Sequence, residues 1–485
     1  MPNKSNRKLL LVACLMTTLP INAQQVSFAK AWTLLQEKNN SIAAQRANVE
    51  HYQQLQEADE SLNYPSVSLG ASYTRLDEDV TLSGEQIIDS LDDSSKAAIS
   101  SLPSLATSLG FDLSQMGIDF GELAKGTSTI AERDMFNSSI RATWAIYTGG
   151  RITAAHDYAA GRSDEAVAKL KMETHARYED LSRYYYSVVL AKEVINTRKS
   201  VENGLAQHRD FAIKLEQQGQ IARVERLQAE AALAKAVVDR KKSERDLDMT
   251  TSALTEILNQ SVTVVPLSHL FINRTLPPLS AFTDQTLQTY PGLDILNAKQ
   301  KQAESSIKAE KGKYHPSVFL YGDYSLYEDD SLASATKPDW FVGIGVNVAL
   351  FDNTGRSSKV QAAQSTVLQV RYLYQQAKQD LTMLVKKTYF EAQQAIEEVQ
   401  GLNASMALAE ENLKLRKKVF AQGLSPSTDV VDAELFLSSI KVQQLVAEFN
   451  YVIALHKLLA LSSEMSTFNQ YELSALQMNK SKDEK

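Results

Sequence analysis

Residues 63–67 read Asn-Tyr-Pro-Ser-Val, and residues 314–318 read Tyr-His-Pro-Ser-Val. In both places the motif opens a segment in which apolar and polar side chains alternate. A second pair of motifs follows, Tyr-Thr-Gly-Gly-Arg at 147–151 and Phe-Asp-Asn-Thr-Gly-Arg at 351–356. Because alternate side chains of a strand point to opposite faces, these segments are predicted strands. The chain is an internal duplication, and each half is predicted to read helix, strand, strand, very long helix, turn, helix.

Four strands are predicted, in which the alternation runs through Val67–Tyr73, Phe136–Tyr147, Val318–Leu326 and Trp340–Leu350. At about 10 to 12 residues each could cross a bilayer, and aromatic residues near the ends suit its interfaces. These aromatic residues are Tyr73, Tyr147, Tyr327, Trp340 and Phe351. A half-exposed sheet on a soluble core is the competing interpretation. Four strands are too few to close a barrel. Three chains would therefore have to share one barrel, which would contain twelve strands.

The segments between the strands and the turns are predicted to be two very long helices. No proline occurs between Pro103 and Pro266, or between Pro338 and Pro426, so residues 152–218 and 356–422 read as single helices. Each would be about 100 Å long at 1.5 Å per residue. Apolar residues alternate at spacings of three and four, which predicts a coiled-coil seam. The seam positions are Leu181, Tyr184, Val188, Ala191, Ile195, Leu205, His208, Ala212 and Leu215, then Ala395, Val399, Leu402, Met406, Ala409, Leu413 and Phe420.

Helices near 224–259 and 428–461 are predicted to return from turns at Gly219 and Gly423. Glycine in such a turn fits a helix C′ position with positive φ. Thr428 and Asp429 are predicted to begin the second return helix as a cap, with Asp432 in its first turn. Shorter helices are predicted at 27–62 and 281–313, ahead of each pair of strands.

The chain begins with the pattern of a secretory signal over residues 1–23, cleaved after Ala23. The alternative is a lipobox ending at Cys14, which would make Cys14 a lipidated N-terminus. The predicted organisation continues with a first repeat at 24–260, a linker at 261–279, a second repeat at 280–463 and a tail at 464–485.

Composition excludes several classes of protein. The net charge of −7 provides no basic surface for nucleic acid, and seven scattered histidines with one cysteine provide no zinc or disulfide framework. The catalytic motifs of P-loop enzymes, serine hydrolases and zinc proteases do not occur. We therefore predict no enzymatic activity and no cofactor.

Residues 78–135 form an insertion that the second half lacks, with eleven acidic and three basic residues. It is predicted to be a solvated loop with a short helix around Ser94–Leu109. Two further hypotheses are that it covers a pore as a lid, or binds divalent cations through Asp89, Asp92 and Asp93.

The duplicated pattern, the signal and the Tyr-Thr-Gly-Gly-Arg motif resemble the TolC family of bacterial outer-membrane efflux proteins. The stretch from Gly423 to Ala433, Gly-Leu-Ser-Pro-Ser-Thr-Asp-Val-Val-Asp-Ala, carries the resemblance into the second turn. The family implies a mainly α homotrimer with a twelve-stranded barrel in the outer membrane, continued by a coiled-coil tunnel in the periplasm of a Gram-negative bacterium. It also implies docking on a periplasmic adaptor and on an inner-membrane pump driven by protons or ATP. The insertion would then be extracellular.

The resemblance implies two groups of site residues. Asp429, Asp432 and Glu225 match acidic residues that narrow the periplasmic aperture. The adaptor-docking tips would contain Gly219, Gly423, Leu424, Ser425 and Thr428. The sequence departs from the family where its closed state is latched: Ser425 replaces an arginine, Phe420 a tyrosine and Glu448 a basic residue. A different set of latch contacts is therefore expected.

Two other functions compete with a passive export duct. One is a periplasmic coiled-coil adaptor or a structural envelope protein, which would also have long hairpins. The other is an envelope enzyme that uses acidic residues of the turns as a hydrolytic pair. The duplication and the bilayer-length strands favour the duct.

Overall fold

The computed structural model describes residues 24–109, 125–329, 338–351 and 353–483. The predicted signal, with Cys14, lies outside these ranges. The described residues divide into two compact units, one within the ranges 1–53, 161–300 and 368–485 and the other within 54–160 and 301–367. Most of the described residues are helical. Of the helices within these ranges, none has both the length and the apolar composition that a membrane crossing needs.

The elements alternate along the chain much as the duplication predicts. The helices are α1 (Phe28–Lys38), α2 (Asn40–Glu60), α3 (Gly84–Ser90), α4 (Asp93–Ser108), α5 (Arg151–Gln217), α6 (Arg223–Ile257), α7 (Leu279–Thr289), α8 (Pro291–Gly312), α9 (Arg356–Ala421), α10 (Ser427–Leu461) and α11 (Phe468–Asp483). The strands are β1 (Gln24–Val26), β2 (Ser66–Arg75), β3 (Val80–Ser83), β4 (Thr127–Ala131), β5 (Asp134–Tyr147), β6 (Val264–Pro266), β7 (Ser317–Glu328) and β8 (Trp340–Asn347).

The two long helices are confirmed, since α5 and α9 begin and end within one residue of the predicted bounds. Most of the predicted seam is buried, including Leu181, Leu205 and Phe420. The prediction that Tyr184 lies in the seam was wrong, because Tyr184 is 40% exposed whereas Tyr185 is fully buried. Steps of three and four both keep a side chain near one helix face, so the spacing after Leu181 did not decide between neighbouring tyrosines.

The shorter predicted helices are each two helices. The break after α1 lies at Asn39, whose backbone is extended and whose side-chain Oδ1 accepts hydrogen bonds from the N–H groups of Ser41 and Ile42, at 3.0 and 3.1 Å. This is an N-cap that starts α2. The break after α7 lies at Tyr290, because the following Pro291 disfavours a helical conformation in the residue before it.

Four strands of the second unit form one antiparallel sheet in the order β2-β5-β7-β8. They contain 10, 14, 12 and 8 residues, so the predicted extent of β8 to Leu350 was wrong. The ladder between β7 and β8 ends where Ser317 pairs with Asn347. Strand β7 begins at Ser317, so the residues after Asn347 have no partner residue in it. Within the described residues β2 and β8 each have one partner strand, so both are edges of the sheet.

The register gives this sheet two different faces. One face is aliphatic and aromatic, with exposed side chains that include Leu69, Ile140, Val342, Ile344 and Val346. The other bears polar and small residues, among them Ser68 paired with Arg141 and, on β7, Asp323. Arg141 Nε and Asp323 Oδ2 form an ion pair at 3.1 Å.

The core of the first unit is an aromatic cluster. Phe28 of α1 lies 5.5 Å from Tyr178 and 5.4 Å from Tyr185, measured between ring centroids. His456 of α10 stacks on Phe468 of α11 at 3.8 Å, and its Nδ1 is hydrogen-bonded to the Tyr178 hydroxyl at 2.9 Å. Burial lowers the pKa of His456 well below its usual value. Through Phe468 the tail after residue 463, predicted only as a tail, packs into this core.

The described part of the insertion contains a two-stranded antiparallel sheet of β3 and β4, together with α3 and α4. Helix α4 confirms the helix predicted around Ser94–Leu109, and residues 110–124 lie outside the description. Asp92 precedes α4 and accepts a hydrogen bond from the Ser94 hydroxyl. In the described ranges no three acidic, histidine or cysteine residues are grouped to hold a metal, so Asp89, Asp92 and Asp93 do not form such a group.

Candidate functional site at the hairpin ends

Helices α5 and α9 end in the same turn, with glycine in the left-handed conformation. Gly219 has φ +72° and Gly423 φ +70°. The glycine N–H donates to the carbonyl three residues earlier, at 2.9 Å in both copies. The next N–H donates to the carbonyl five residues earlier, at 2.9 Å in the first copy and 3.2 Å in the second. This is the Schellman motif, which confirms the predicted C′ glycines. We refer to residues 204–230 and 416–434 as the hairpin ends.

The start of α10 is capped by the other hairpin. Its N-cap residue is Pro426, which has no side-chain oxygen, and the predicted cap at Thr428 and Asp429 was therefore wrong. Instead, the backbone N–H of Ser427 donates to Glu225 Oε2 at 2.5 Å. Glu225 lies in the first turn of α6, so its carboxylate is close to the positive ends of two helix dipoles. This contact joins the first hairpin to the second.

A second contact between the hairpins lies beside the first. His208 Nε2 of α5 is hydrogen-bonded to the Ser427 hydroxyl at 2.7 Å, and both residues are buried. The His208 ring also packs on Phe420 of α9, with 4.6 Å between centroids. Burial, with the nearby charge of Lys417, lowers the pKa of His208 to about 4, against the opposing effect of the Ser427 bond. His208 is therefore neutral at pH 7.

The acidic residues of the second hairpin end have different surroundings. Asp429 pairs with Arg416 of α9, with Oδ2 and Nη1 2.6 Å apart. Asp432 is exposed and lies in the second turn of α10, beyond its predicted place in the first. Glu434 is 8% exposed and pairs with Lys417 at 3.0 Å. A β-carbon at Gly204 of α5 would lie 2.6 Å from the Glu434 carboxylate, so this glycine leaves room for that pair.

The structure thus brings Glu225 and Asp429 to the start of α10, each already bound to a neighbour. Leu424 and Thr428 are exposed at the turn, and Ser425 is half-buried. Sequence reasoning did not identify Ser427 or Arg416 as members of this site. Pro426 was the available signal, because a proline at the N-cap leaves the helix start to be capped from elsewhere.

The half-buried Glu448 lies further along α10. Its carboxyl accepts a hydrogen bond from the Gln444 amide at 3.4 Å. Burial raises the pKa of Glu448, and the negative charge of Glu193 on α5 raises it further. Glu448 therefore supplies no basic partner for the hairpin ends.

Three comparisons relate the chain to known proteins. The model of the outer membrane efflux protein family matches residues 32–260 and 283–463, which is more than half of the chain. Outer membrane protein TolC of Vibrio cholerae serotype O1 is 24% identical over 172 residues, which cover 35% of this chain and 38% of that protein. The chain thus spans well under two thirds of that relative.

Two solved structures share the fold. CusC, studied for folding and transmembrane channel formation, has a TM-score of 0.70 at 14% identity, covering 95% of this chain and 98% of its own. The MtrE outer membrane channel of Neisseria gonorrhoeae, solved in its open state, has a TM-score of 0.68 at 17% identity, covering 90% and 89%.

Proposed function

The chain belongs to the outer membrane efflux protein family, and from this premise we propose that it is the outer-membrane channel of a tripartite export system. In that role it conducts substrates passively from the periplasm to the exterior. The observation that carries the proposal is the four-stranded sheet with an exposed aliphatic face, a polar face and two edges. An aliphatic face of this kind suits lipid, and a polar face suits an aqueous lumen.

The two edges support a homotrimer. In lipid an open strand edge leaves backbone N–H and C=O groups without partners, at a cost of several kcal/mol for each group (about 2–7). If β8 of one copy pairs with β2 of the next, three copies close a barrel of twelve strands. The protein would then lie in the outer membrane and extend into the periplasm.

The hairpin ends are the proposed periplasmic aperture. Glu225, Asp429 and Asp432 would each occur three times around the axis, and the negative potential of these rings attracts cations. Glu225 and Asp429 also bind groups of their own chain, which supports a second role for them in holding the aperture closed.

The tips are the proposed docking surface for a periplasmic adaptor, which would link the channel to a proton-driven or ABC-type inner-membrane pump. This surface is formed by Gly219, Gly423, Leu424, Ser425 and Thr428. Leu424 is 74% exposed, as an apolar contact residue should be before its partner binds.

Native mass spectrometry of membrane extracts in mild detergent, followed by planar-bilayer recording of the same sample, tests the proposal. The expected result is a trimer that conducts ions. A monomer or dimer that persists at high concentration would leave the strand edges open and refute it. A periplasmic adaptor or structural envelope protein, the alternative, would neither fractionate with the outer membrane nor conduct.

A further inference from the structure

Three aromatic rings lie on the polar face of the sheet, all on its last two strands. Phe319 and Tyr321 belong to β7 and Phe341 to β8, and between 36% and 41% of each residue is exposed. The ring centroids of Phe319 and Tyr321 are 5.8 Å apart, and those of Tyr321 and Phe341 are 6.1 Å apart. The rings therefore form a continuous apolar strip on an otherwise polar face.

The other half of this face has a different chemistry. On β2 and β5 it is formed mainly by small, hydroxyl and amide residues, with one arginine and one methionine: Ser66, Ser68, Gly70, Ser72, Thr74, Met135, Asn137, Ser139, Arg141, Thr143 and Ala145. The charge of Arg141 is paired with Asp323. Because the two charges neutralise each other, this pair places no net charge beside the aromatic strip.

The rings lie on glycines. Tyr321 pairs across the ladder with Gly343, and Phe319 pairs with Gly345. A β-carbon at Gly343 would lie 2.7 Å from Cζ of Tyr321, and one at Gly345 would overlap the Phe319 ring. Each ring thus occupies the space above a glycine backbone. Any larger residue at either glycine would push the ring away from the sheet.

We propose that Gly343 and Gly345 set the width of the passage through the sheet domain by allowing Tyr321 and Phe319 to lie flat against its wall. This inference rests on the proposed function, in which the polar face lines the lumen. An aromatic side chain that stands away from the wall narrows the lumen, and in a trimer the change occurs three times. The flat rings also give one side of the lumen an apolar surface for passing substrates.

The same contacts stabilise the sheet, because cross-strand pairs contribute to strand pairing. If these contacts only stabilise the sheet, changing them should alter assembly and leave the width of the lumen unchanged. The width of the lumen must therefore be measured directly. Neutral poly(ethylene glycols) of increasing size, added to the sheet side of single channels in planar bilayers, report the largest polymer that enters. The variants are G345A, F319A and the double variant G345A/F319A. V346A, which alters the aliphatic face next to Gly345, is the matched control.

The expected result is a shift of the size limit to smaller polymers in G345A and to larger polymers in F319A. The double variant should behave like F319A, since the displaced ring is absent, and V346A should behave like the wild type. An F319A channel with the wild-type size limit would overturn the inference, even if G345A fails to assemble. A double variant that matches G345A would also overturn it. Wild-type protein that forms no channels would instead refute the proposed function, and this inference with it.

Discussion

Replacing Glu225 by alanine should weaken the closed state of the aperture proposed at the hairpin ends. The change removes the acceptor of the Ser427 N–H and a carboxylate beside two helix starts. A hydrogen bond to a charged group contributes about 1.5–3 kcal/mol, and the loss of a helix cap costs about 0.5–2 kcal/mol. Because Glu225 is partly exposed, we expect a cost of about 1–2 kcal/mol, which changes the ratio of open to closed states by a factor of about 5–30.

Single-channel recording measures this ratio as the fraction of time in the open state. E225Q keeps an acceptor oxygen and loses the charge, so its open fraction should fall between those of the wild type and E225A. D432N is the matched control, because it removes a negative charge from an exposed residue of the same region. It should alter cation preference and leave the open fraction unchanged. The reasoning fails if E225A opens no more often than the wild type, or if D432N opens as often as E225A.

Three further predictions concern stability, each measured by thermal or denaturant unfolding of the detergent-solubilised protein. G204A should destabilise the protein by about 1–3 kcal/mol, because the added β-carbon would displace the Glu434 carboxylate. G401A should stabilise it by about 0.5–1 kcal/mol, because Gly401 of α9 has open space around it. Equal effects of the two substitutions would contradict this packing argument. The pKa of His208 is about 4 in the folded protein, below its value in the unfolded chain. The stability that neutral His208 contributes above pH 6.5 should therefore be lost as the pH falls from 6.5 towards 4. If an H208N variant shows the same pH dependence as the wild type, His208 is not the cause. F468A should cost about 3–5 kcal/mol, because the ring is 1% exposed and stacked in the core, and a smaller loss would mean that α11 is not part of that core.

Most of the fold could be predicted from local patterns in the sequence. Glycine at 219 and 423 could be predicted as a C′ residue because its preference for positive φ depends on the residue alone. Alternation separated the two faces of the sheet for the same reason, since it is a property of any strand. The long helices were predictable from the absence of proline over their whole length.

Features that depend on two distant segments were not predictable. His208 was placed correctly in the seam, but its bond to Ser427 joins residues far apart in sequence and depends on how the two hairpins align. Glu225 was predicted as an aperture residue, but its capping of α10 was not predicted. This contact depends on Pro426 as the N-cap residue of α10 and on Glu225 of the other hairpin lying within reach. The end of β8 likewise depends on where the neighbouring strand β7 begins.

The two strand edges have a genetic consequence. If every copy must supply one edge to each neighbour, a subunit with a damaged β8 edge but an intact β2 edge still enters assemblies and leaves them unable to close. Wild-type subunits in the same cell would be lost to these mixed complexes. Co-expressed edge variants should therefore be dominant negative, with an effect that grows steeply with their share of the pool.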